Sequence, residues 1–113
     1  MYIVVLMEEA EVTKEEIRVD WKKLLDSKKA NTEATLRNLE IATNSCQPLA
    51  IEIATRLATQ IASLRDSAST ANSLDDISNE EWEKVLNYTF MRENDLTVLT
   101  SRFSDKCKCQ ITK

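Results

Sequence analysis

Cys107-Lys108-Cys109 holds the side chains best suited to chemistry in this chain of 113 residues. Thiolates bind zinc or copper, and the charges of Lys106 and Lys108 favour the thiolate form. A four-coordinate zinc site needs two more ligands. Cys46 could supply one, and the chain has no histidine for the other. Three cysteines is an odd number, and no regular disulfide framework is visible. The expectation is no bound metal, no cofactor and no obligatory disulfide, in a cytoplasmic protein.

Acid pairs are the second candidate: Glu8-Glu9, Glu15-Glu16, Asp75-Asp76 and Glu80-Glu81. Glycosidase chemistry needs two carboxylates facing one pocket, one of them desolvated. Adjacent residues on a helix point about 100° apart. Acids at helix starts are explained by the positive end of the helix dipole. Glu52 and Arg56, four apart, read as an ordinary exposed ion pair.

Missing residues exclude more. There is no glycine, where average usage would give about eight. The Walker loop, the dinucleotide fingerprint and the nucleophile elbow are excluded as written. Without histidine, the usual general base near neutral pH is gone. A non-enzymatic chain is expected.

The formal charge is −4 and the sequence pI about 4.9. Residues 1–20 hold six acids against two bases, net −4, and residues 66–84 six against one, net −5. The only basic cluster is Lys22, Lys23, Lys28, Lys29 and Arg37. It could contact phosphates, but no aromatics alternate with it to stack bases. It reads first as the wet face opposite Trp21 and Leu25.

These groups must be positioned by helices. Thr13 and Glu16 form a capping box, stapled by Val12 and Ile17. Ile17, Trp21, Leu24 and Leu25 then share one face. A helix is expected over 14–44, with a break near 30 left open by the polar stretch 28–32. Asn44 to Pro48 is a break, with Pro48 starting the next helix. That helix, over 48–70, carries Leu49, Ile53, Leu57, Ile61, Leu64 and Ala68. Beside them Ala50, Ala54, Ala58 and Ala62 recur every fourth residue, a row small enough to admit another helix closely. Residues 66–79 read as a loop. Ser78 and Glu81, with Ile77 and Trp82, repeat the start signal, so a last helix runs over 79–92 or beyond. Past Met91, Thr97, Val98, Thr100 and Ser101 are poor helix formers. Residues 107–112 and 2–7 alternate or cluster as strands do.

The expected fold is mainly α. It is a small antiparallel three- or four-helix bundle in one domain, 1–113. Residues 1–11 and 104–113 are peripheral, with short strand-like termini as a variant. Tyr2, Ile3, Val4, Val5, Leu6 and Met7 form the one long apolar run, too short to span a membrane. The expected function is protein binding through an apolar helical face, as an adaptor, an accessory subunit or a small inhibitor, viral ones included. The partner is another protein or a second copy. The contact residues are residues 2–7 with Ala50, Ala54, Ala58 and Ala62. The alternative is a nucleic-acid-associated factor using Lys22, Lys23, Lys28, Lys29 and Arg37.

Overall fold

The computed structural model describes residues 20–111. Among them lie three helices: α1 Trp21–Asn44, α2 Leu49–Ser73 and α3 Asn79–Ile111. The connections are four and five residues long, which holds consecutive helices antiparallel. The result is a small helical bundle.

Each helix has an identifiable start. Asp20 is extended (φ −82°, ψ 92°), and its carboxylate accepts from the Lys23 N–H at 3.3 Å. A helix begun at residue 14 therefore does not run unbroken into α1. The Thr13/Glu16 box itself lies outside the described residues. Pro48, at φ −56°, leads into α2. The Ser78 hydroxyl accepts from the Glu81 N–H at 3.1 Å, as the second capping box requires.

Two stops are built without glycine. Cys46 (φ 52°) and Asp75 (φ 59°) are left-handed. At the first, Gln47 N donates to Ala42 O at 2.9 Å and Cys46 N to Thr43 O at 3.2 Å. At the second, Asp76 N donates to Ala71 O at 2.8 Å and Asp75 N to Asn72 O at 3.0 Å. Both are Schellman turns, in which glycine usually takes the left-handed position. Asp75→Gly is expected to raise stability by about 1 kcal/mol, read from the urea midpoint.

Burial decides the two points that the sequence reading left open, at 28–32 and beyond Met91, and carries α2 into the expected loop. α1 passes through 28–32 without a break, because Thr32 is fully buried and its hydroxyl donates to Lys28 O at 2.8 Å. α2 extends to Ser73, into the expected loop, because Ala68 and Ala71 sit in the core. α3 continues past Met91 because Leu99 and Phe103 are buried. Thr97 and Thr100 turn their hydroxyls back onto carbonyls of their own helix. Residues 107–111 belong to α3, so the C-terminal strand is overturned. The N-terminal one falls outside the described residues.

The core follows a seven-residue repeat. Leu25, Thr32, Leu39 and Cys46 on α1 and its final turn are seven apart and buried, as are Ala50, Leu57, Leu64 and Ala71 on α2. Val85 and Leu99 on α3 keep that spacing, with Arg92 between them. A strict four-residue row behaves differently, advancing about 40° around the helix per step. The alanine row accordingly winds out of the interface. Ala50 is buried, Ala54 half-buried, and Ala58 and Ala62 exposed. The expectation of a fully packed row is corrected for that reason.

Two apolar clusters result. One joins Leu39, Leu57, Ile61, Leu99 and Phe103, and the other Leu25, Leu64, Ala68, Ile77 and Val85. Trp21 and Trp82 are half-buried against the second. No described helix is long and apolar enough to cross a membrane.

Candidate functional site

Cys46 and Cys107 are joined by a disulfide, with Cα atoms 5.3 Å apart. This corrects the expectation that no such bond forms. Cys46 ends the α1 heptad seam, and α3 runs parallel to α1, so Cys107 arrives at the same level. The two sulfurs bind each other and are not a thiolate pair for a metal. Among the described residues no three of Cys, Asp and Glu converge.

The basic residues of α1 differ in exposure and partners. Lys22, Lys23 and Arg37 are exposed. The Lys28 ammonium reaches across to α2, donating to Ser63 Oγ at 2.7 Å. Lys29 turns toward α3 and lies 5.5 Å from the Tyr88 ring centre. Consecutive lysines thus engage different neighbouring helices, and Lys22 and Lys29 share a hollow with Lys84.

A polar layer separates the two apolar clusters. Arg92, whose side chain is 15% exposed, pairs with Glu33 of α1 at 2.7 Å and with Asp95 at 3.1 Å. Its guanidinium lies over Tyr88 at 5.0 Å, and the Tyr88 hydroxyl donates to Glu33 at 2.6 Å. From α2, Arg65 donates to Thr89 and pairs with Glu93. Sequence reading missed this network. Its signal is Arg92 at a heptad position between Val85 and Leu99.

Burial pushes the Tyr88 hydroxyl up to about 12, helped by the hydrogen bond and charge of Glu33 and opposed by Arg92. The fold favours the protonated phenol. The associated stability is fully present below pH 10.0 and lost as pH rises through about 12.

Apolar surface is left open around the first turns of α2. Ile41 is 61% exposed, Leu49 52% and Ile51 57%. Ile41, Leu49 and Ile53 line a hollow of about 310 Å³ between α1 and α2. Asn38, Gln47, Glu52 and Arg56 also line it. The expected Glu52–Arg56 ion pair is not formed. On the opposite flank of α2, facing α3, lies a second groove of about 370 Å³. Residues 2–7, the other expected contact, lie outside the described residues.

Comparison with protein-family models, with curated proteins and with solved structures found no match.

Proposed function

We propose that this chain is a non-enzymatic protein-binding module whose contact surface is the hollow between α1 and α2. The observation that carries the reading is the apolar centre made by exposed Ile41 and Leu49 over half-buried Ile53, bordered by polar side chains. An apolar centre with a polar rim is the usual anatomy of a protein interface. The surface is local, and scattered single apolar residues would not support the same reading. Its occupant is an apolar segment of another protein or of a second copy, as for an adaptor, an accessory subunit or an inhibitor. Exposed Ala58 and Ala62 lie further along α2 and offer a secondary contact. The cystine fits an oxidising compartment better than the cytoplasm suggested by the odd cysteine count.

A photo-cross-linking residue at position 41 tests this. It should capture the partner or a second copy, while the same group at exposed Glu83 should not. The Ile41→Glu/Leu49→Glu pair should keep its helical circular dichroism and lose at least tenfold in association. Association unchanged in a folded double variant would overturn the assignment of this surface.

A further inference from the structure

Charge is nearly absent from the first part of α2. From Leu49 to Leu64 only Glu52 and Arg56 are charged, in a chain that is 30% charged overall. Much of this stretch is nonetheless open: Leu49, Ile51, Thr55, Ala58 and Thr59 are exposed. A surface poor in charge with open apolar side chains has the composition of an interface centre. Glu52 and Arg56 both line the hollow, and both are exposed. They stand in the order that favours an ion pair within one helix. Neither pairs with any charge among the described residues.

The pattern is its own complement. Residues 52 and 56 lie one turn apart, about 6 Å along the helix axis. Turning a second copy of α2 end for end about a two-fold axis midway between them brings each acid against the base of the other copy. Residue i then meets j while j meets i, as an isologous contact requires. Leu49 comes level with Thr59 of the other copy, whose hydroxyl hydrogen is already donated to Thr55 O at 3.1 Å. No third charge lies on this stretch, so no like charges are opposed between the two α2 helices. Ile41 borders the same face from α1. A second copy laid parallel would oppose Glu52 to Glu52 and Arg56 to Arg56, so the pattern also fixes direction.

We propose that the occupant of this surface is a second copy of this chain, docked antiparallel on α2, with Glu52 of each copy paired to Arg56 of the other. This rests on the hollow being the contact surface. The apolar side chains supply the affinity, because exposed ion pairs add little. The two charge pairs set register and direction, because opposing like charges is costly.

Analytical ultracentrifugation of the full, oxidised chain tests this. The native chain should be a dimer at submillimolar concentration. Glu52→Arg opposes cation to cation at both pairs, and Arg56→Glu opposes anion to anion. Each variant alone should therefore lose at least tenfold in self-association while keeping its helical circular dichroism. Mixed in equal amounts, the two should form a heterodimer of near-native affinity, since every charge is matched again. The chain carrying both changes should dimerise by itself. Glu52→Lys and Arg56→Asp serve if either variant fails to fold. Folded variants that do not rescue each other would overturn the proposal, even if Ile41→Glu/Leu49→Glu still abolished association and so upheld the surface. A monomeric native chain would overturn it too, and capture of a different protein by the cross-linker at position 41 would then leave the protein-binding reading in place.

Discussion

Reducing the Cys46–Cys107 bond is expected to lower the stability of the fold by about 4 kcal/mol. The bond closes a loop with a sequence separation of 61. Such a link acts chiefly on the unfolded chain, removing conformations it would otherwise explore, and long loops gain most. The folded state gives part of this back on reduction. Cys107 Sγ lies 3.6 Å from Thr43 O, and a thiol there regains a hydrogen to donate. Cys46 also keeps its left-handed backbone, since the Schellman turn and not the sulfur defines it. Urea unfolding with and without reductant gives the difference directly. In a domain of this size the melting temperature should fall by roughly 15–30 °C. A loss below about 1 kcal/mol would mean that native strain offsets the loop-closure gain. Peptide mapping after alkylation without reductant should find Cys46 and Cys107 unmodified.

Much of this layout was legible in the sequence, and the residues that were not share a cause. Pro48 and the Ser78/Glu81 box act locally, so their helix starts could be read directly. The stripe Leu57, Ile61 and Leu64 alternates steps of four and three, and it is the core of α2. Thr97 to Ser101 left the end of the last helix open, although intrinsic helix preference is only a few tenths of a kcal/mol per residue. Burying Leu99 and Phe103 outweighs that, at about 1.5–3 kcal/mol for each large apolar side chain. The alanine row misled because spacing of four looks helical but drifts across the surface. The disulfide was illegible for a geometric reason. Three cysteines allow three pairings, and only the parallel placement of α1 and α3 brings 46 and 107 level. The candidate surface was half legible. Leu49 was read as part of the main stripe but is 52% exposed, and Ile41 was not singled out. Their exposure depends on where α1 ends and how the turn at 45–48 lifts Leu49 out of the core.

The polar layer carries the second large effect, and its two halves should respond unequally. Glu33→Leu leaves Arg92, only 15% exposed, with Asp95 as its remaining carboxylate. The expected loss is about 2 kcal/mol, below the 3–5 kcal/mol of a fully buried pair because the Glu33 side chain is 40% exposed. Arg92→Met should cost less. It leaves Glu33 and Asp95 without their cation, but both side chains reach water and Glu33 keeps the Tyr88 hydroxyl as a donor. The double variant Glu33→Leu/Arg92→Met should recover most of the loss, since apolar replacement of a desolvated pair is often neutral or stabilising. Equal losses in the two single variants, or additive losses in the double one, would show that no coupled pair exists there. Glu33→Leu should also move the Tyr88 titration down from about 12, because it removes the hydrogen bond and the charge that reinforce burial. Restored stability should come with weaker specification of register. With Met at position 92, the seam from Val85 to Leu99 becomes an unbroken apolar repeat. Once the Cys46–Cys107 bond is reduced, a slip of α3 by seven residues is then opposed chiefly by the Arg65–Glu93 pair. In the native chain the same slip would carry Arg92 away from Glu33 into the Leu39 and Leu57 cluster. With the disulfide reduced, the double variant should therefore match the equally reduced native chain in urea while broadening its amide NMR lines or changing its association state, and sharp native-like lines would show that the Glu33–Arg92 pair is not what sets the register.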